Sequence, residues 1–159
     1  MATTVTSAPL TYTLKESIEL VGSERGSSFK KTVNGSIVEY SRIVRNIGYI
    51  QFWTVATFVT SPLSSGSQFD IDEVKYIRIT NLDDTNSLAV ALIPSIGNPV
   101  TIALRPGLTF MLGSPLGSIT TDNPTPSLPS GRDITAIQLR SMQTSPGENV
   151  DVEVVVGSL

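Results

Sequence analysis

The chain has 159 residues, 40% of them hydrophobic and 16% charged, and carries a net charge of −3. It contains no cysteine and no histidine. This excludes disulfides, thiolate metal sites, Ser–His–Asp and Cys–His catalysis, and histidine-based pH switching.

A chain of this length buries roughly two-thirds of its unfolded surface and can hold a core without staples. Lys30-Lys31 is the one adjacent basic pair in the sequence. Nucleic-acid binders concentrate positive charge in a stripe, so binding to DNA or RNA is not expected. No apolar run approaches the ~20 residues of a membrane helix. Residues 1–9, with Thr4 and Val5, read as a flexible arm; they lack the basic start and apolar centre of a secretory signal.

Leu10, Tyr12 and Leu14 alternate with Thr11, Thr13 and Lys15, and Ile18 and Leu20 alternate with Ser17 and Glu19. Leu14, Ile18 and Val21 also fit a helical period, but strand is the preferred reading beside so much β signal. Residues 22–26 form a turn. Phe29–Val33 and Ile37–Val44 flank Asn34-Gly35, which predicts a two-residue type I′ hairpin. Asn34-Gly35-Ser36 also matches a glycosylation sequon. Tyr49–Thr60 is apolar on both faces and reads as a central strand. Trp53 is expected in the core, the alternative being a stacking platform for a sugar or a base.

After a loop at 61–67, Val74–Ile93 reads as two strands joined by a polar turn, a hairpin at the centre of the chain. Asn81, Asp83, Asp84, Asn86 and Ser87 supply the turn. Leu88–Ile93 is apolar on both faces and suits a mid-sheet position. Val100–Arg105 and Leu108–Leu112 are further strands around the Arg105-Pro106-Gly107 turn. Residues 113–132 contain Pro115, Pro124, Pro126 and Pro129 and read as a stiff extended loop. Thr135–Arg140 and Val150–Val156 complete the set, the last with one buried face and, over its first half, one wet face.

These elements predict an all-β domain over residues 10–159. It should have about ten short strands, little or no helix, and mainly antiparallel sheets in a sandwich or jelly-roll-like arrangement. The connections are too short for parallel crossovers.

Chemistry is sparse. Asp70, Asp72, Glu73, Asp83 and Asp84 could pair as glycosidase carboxylates but read as loop acids. Asp83–Asn86 could offer oxygens to calcium but lacks the EF-hand spacing. Lys15 and Lys75 lie in no catalytic motif, and no phosphate loop is present. Tyr40, Tyr49 and Trp53 are available for sugar stacking, with nothing in the sequence to group them. Neither enzyme activity nor a cofactor is expected.

Three stretches taken together carry a resemblance. They are Leu10-Thr-Tyr-Thr-Leu-Lys-Glu-Ser-Ile-Glu-Leu-Val-Gly, Lys75-Tyr-Ile-Arg-Ile-Thr-Asn-Leu-Asp, and Leu108-Thr-Phe-Met-Leu-Gly-Ser followed by a polar loop. The assemblage resembles the small all-β virion proteins of tailed bacteriophages, cyanophages among them. The resemblance implies a non-enzymatic capsid cement or decoration protein on the outer capsid surface, assembled in the host cytoplasm. It would bind the major capsid protein across neighbouring capsomers and itself as a homodimer or homotrimer. The candidate interface comprises Pro115, Leu116, Pro124, Pro126, Leu128 and Pro129 in the loop, and Thr4 and Val5 in the arm. The alternative is a tail-fibre or baseplate component that binds host surface glycans.

Overall fold

The computed structural model describes residues 7–33, 35–63, 67–116 and 132–159. These contain thirteen strands and no helix. In chain order they are β1 (Thr11–Lys15), β2 (Glu19–Leu20), β3 (Ser23–Glu24), β4 (Ser28–Thr32), β5 (Glu39–Ile47), β6 (Trp53–Val59), β7 (Gln68–Asp70), β8 (Val74–Asn81), β9 (Leu88–Pro94), β10 (Val100–Leu104), β11 (Thr109–Leu112), β12 (Ile134–Ser141) and β13 (Val150–Ser158).

Eight of them make a jelly roll. One sheet has the order β11-β8-β13-β5, and the other β10-β9-β12-β6 with the short β7 added at its edge. Period-2 alternation decides which face each sheet turns inward. In β13, Val150, Val152, Val154 and Val156 join Ile77 and Ile79 of β8 in the interlayer core. The opposing sheet supplies Leu88, Val90 and Leu92 of β9, Ile137 and Leu139 of β12, and Val55 and Phe58 of β6. Each fully buried side chain of this size adds ~1.5–3 kcal/mol relative to exposure.

Two hairpins read from local signals do not form. β8 and β9 have the expected limits, but β8 lies in one sheet and β9 in the other. The polar turn between them crosses from layer to layer. Likewise β4 pairs with β1, and β5 with β13. Around Gly35 (φ 88°) the chain passes from one sheet to another, and Asn34 lies outside the described residues. A turn signal fixes where a chain bends; long-range packing decides which strand becomes the neighbour. One pair is also parallel, β6 with β7, because a three-residue strand needs only a brief return.

As expected from sequence, β9 and β6 are interior strands of their sheet, with β12 between them; β8 and β13 are interior in the other. Glu153, in the first half of β13 where a wet face is expected, is only 7% exposed, and Val155 beyond it is fully buried. It is covered by the β1–β4 ribbon, which forms a third layer outside the four-stranded sheet. Val33, Ile37, Tyr76 and Val155 make a second small core there, with Leu10 and Tyr12 packed against it.

Asn81 ends β8 with no exposed surface. Its Nδ2 donates to the carbonyls of Asn86 (2.9 Å) and Leu104 (3.1 Å), and its Oδ1 accepts from the Asp83 N–H (3.0 Å). One amide therefore ties the β8–β9 crossing to the end of β10.

Candidate contact surfaces

The β1–β4 ribbon leaves the body after its base. Tyr12, opposite Lys31, shares a face with the Leu14–Phe29 pair one step further out. At the base this face closes on the sheet, with the Tyr12 and Tyr76 rings 5.7 Å apart. Burial of Tyr76 there raises its phenol pKa, opposed by the charge of Arg78. Further out the same face is largely open: Leu14 is 56% and Phe29 54% exposed, the Phe29 ring lying 6.5 Å from that of Tyr12. Ile18 and Leu20 continue the exposed apolar series.

The ribbon holds its own shape. The Glu16 N–H donates to the Ser27 carbonyl, and the Arg25 N–H to the Ile18 carbonyl, both at 2.7 Å. The Glu24 carboxylate accepts from the N–H groups of Gly26 (2.8 Å) and Ile18 (3.1 Å). These bonds, Gly26 first, hold its pKa below the usual carboxylate value. A Cβ on Gly26 would run into the Glu16 carbonyl, so this tight tip requires glycine.

At the very end, β2 and β3 turn through Val21 (φ 54°) and Gly22 (φ 74°). A β-branched residue in the left-handed region is a conformational outlier. Val21 is also fully solvent-exposed. Asn or Gly would fit this turn at lower energy, so local preference does not explain the valine.

A second surface lies at one end of the sandwich. Gly48, Tyr49, Ile50, Gln51 and Trp53 line a groove of about 450 Å³ against the Pro146–Asn149 turn. Trp53 is not the core residue expected. It opens β6 at the sheet end and is 47% exposed. Tyr49 and Trp53 are thus brought to one groove, whereas Tyr40 lies away on β5. Asn149, 96 residues beyond Trp53 in the chain, joins these rings only through the fold. Asn149 also donates to Asn46 Oδ1 at 2.7 Å.

A third feature is Glu153 on β13, buried on the outer face of the four-stranded sheet. It pairs with Arg42 of β5 at 2.5 Å and with Arg78 of β8. Both arginines lie opposite Val155 and reach diagonally to the one carboxylate.

The Asp83–Asn86 segment performs turn chemistry. Asp83 Oδ1 accepts from the N–H groups of Asn86 (2.6 Å) and Thr85 (2.8 Å), which hold its pKa below the usual value. Asp70 does the same for the Asp72 N–H at 3.0 Å. No group of three or more acidic side chains placed to hold a metal occurs among the described residues.

Of the interface residues read from sequence, Pro115 is buried, and its carbonyl accepts from the Ile134 N–H at 2.9 Å. It is a structural start to the loop, not a projecting contact. Leu116 is exposed. Pro124, Pro126, Leu128, Pro129, Thr4 and Val5 lie outside the described residues. Within the arm, Ala8 forms an antiparallel bridge to Ile37. The ribbon surface was missed because Leu14, Phe29, Ile18 and Leu20 have the pattern of any half-buried strand. Only the absence of a partner layer distinguishes them.

Comparison with protein-family models, curated proteins and solved structures finds no match.

Proposed function

We propose that this chain is a non-enzymatic structural protein of a phage virion, a cement or decoration protein that binds across neighbouring capsomers of the major capsid protein. The observation that carries this reading is the self-supporting ribbon with its exposed Leu14–Phe29 pair and apolar tip. A two-stranded ribbon alone in water is marginal, and contiguous exposed apolar surface marks contact sites. Jelly rolls build viral capsid domains and lectins, an analogy of fold that agrees with the reading without deciding it. The acidic balance of the chain suits an outer surface better than contact with packaged nucleic acid. In this reading the ribbon is the main reach onto the neighbour, and the 113–132 segment is a second candidate contact. The test is to shorten the ribbon by joining Thr13 to Lys30 through Asn-Gly and to measure occupancy on empty shells. Undiminished occupancy removes the ribbon from the interface.

One observation favours the second reading, a tail component that binds host glycans. Tyr49 and Trp53 share a groove with the amides of Gln51 and Asn149, and ring faces beside amide donors suit a neutral sugar. Binding on a glycan array that disappears in Trp53→Ala supports it; an array without signal ends it.

A further inference from the structure

The four-stranded sheet ends on one side in β5, which is nine residues long. The other edges of the two sheets are shorter: three residues in β7, five in β10 and four in β11. A long open edge presents a row of N–H and C=O groups that another strand can pair with. Among the described residues no strand pairs with this side of β5; the Ala8–Ile37 bridge touches it only just before the strand begins.

The backbone shows which groups face outward. The Val38 N–H reaches the Ser158 carbonyl on the β13 side, whereas the Ile37 N–H turns the other way, to the Ala8 carbonyl. The Val38 bond is one residue off the β5–β13 register, so the phase is set further along. The Leu82 N–H donates to the Asp151 carbonyl, which leaves Val152, Val154 and Val156 of β13 to bond Arg45, Ile43 and Ser41, and Tyr40, Arg42, Val44 and Asn46 to direct their N–H and C=O groups outward.

We propose that this edge pairs antiparallel with the same edge of a second copy of the chain, about a two-fold axis through Arg42. The argument is self-complementarity, independent of the virion reading. In this register Glu39 faces the partner's Arg45, and Arg45 faces the partner's Glu39. Neither residue has an ion-pair partner among the described residues. On the outer face Tyr40 meets the partner's Val44, twice by symmetry. Both are 53% exposed in the single chain, and an aromatic opposite a β-branched residue is a favourable cross-strand pair. The Glu39–Arg45 pairs fall at the non-hydrogen-bonded positions, where opposing side chains approach most closely. The two Arg42 side chains meet at the axis, each already held by its own Glu153 at 2.5 Å. Moving the axis by one residue, to Ser41 or Ile43, separates both complementary pairs. A two-fold isologous dimer is the commonest form of soluble oligomer.

The experiment is sedimentation of the full-length chain and its charge variants, with circular dichroism to confirm the fold. The wild type sediments as a dimer. Glu39→Arg and Arg45→Glu each weaken the dimer by about tenfold, because each substitution places like charges opposite one another at two symmetric positions. The combined Glu39→Arg/Arg45→Glu variant restores it. A wild type that stays monomeric overturns the proposal, including the case in which another segment of the same chain takes the edge. So do single variants that leave the dimer intact, or a charge swap that fails to restore it.

Discussion

Leu14 and Phe29 stand opposite each other across the ribbon, and each leaves more than half of its surface in solvent. Their exposure separates stability from attachment. Changing both to threonine keeps β-propensity and removes little buried area, so unfolding free energy should move by no more than about 0.5 kcal/mol per site. If the ribbon is the capsid contact of the proposed function, occupancy on the shell should fall at least tenfold. Thermal unfolding and quantitative gel analysis of purified particles measure the two effects independently.

Val21 makes the opposite prediction. Val21→Gly removes the cost of a β-branched side chain at positive φ, roughly 1 kcal/mol. The tip should become more ordered, seen as slower amide exchange at Leu20 and Ser23. Attachment should weaken, since the exposed isopropyl group is lost. A variant that improves both would show Val21 to be mere strain.

Asn81→Ala should be among the more damaging single changes. It deletes three hydrogen bonds and leaves the carbonyls of Asn86 and Leu104 without this donor in a buried setting. A loss of about 2–4 kcal/mol is expected, at roughly 1 kcal/mol or more per bond. Urea denaturation gives the number. Asn81→Asp, which sets a carboxylate against the same two carbonyls with no exposed surface, should cost at least as much as alanine.

Asp83 gives a weak acid dependence whose direction is fixed. Its folded-state pKa lies below the ordinary aspartate value, through the N–H groups of Asn86 and Thr85. Its contribution is therefore present above the unfolded value and is lost as pH falls through the folded one. The group is open to solvent, so the effect should stay under about 1 kcal/mol. It appears as a drop in melting temperature below about pH 4, which Asp83→Asn should diminish. Glu24 acts in the same direction at the ribbon tip.

Much of this architecture is legible in the residues. Val150–Val156 declares a strand, and Leu88–Ile93 declares one covered on both faces. Proline and glycine locate the bends. Pairing is not legible, because it depends on residues far apart. Nothing near Asn34-Gly35 says that β5 will join β13 instead of β4. Glu153 reads as an exposed position until Arg42 and Arg78 close on it. Trp53 reads as core because a lone tryptophan usually is, and its place at the end of β6 depends on where the opposing sheet stops. The contact surfaces are the least legible, since an exposed strand and a buried one are written in the same alternation.

The position of β13 bears on how this molecule comes to be folded. Its two neighbours, β5 and β8, are aligned on it at pairs such as Val154↔Ile43 and Val154↔Ile79. Neither pairing is local, so both must wait for large loops to close. Topologies of this kind acquire their structure in milliseconds to seconds, slowly for a domain of this size. Until β13 arrives, β5 and β8 each have an unpaired flank rich in isoleucine and valine. The interval before closure is thus when this chain is most prone to aggregate, and slowing the arrival of β13 should lower the yield of folded protein more than weakening the ribbon does.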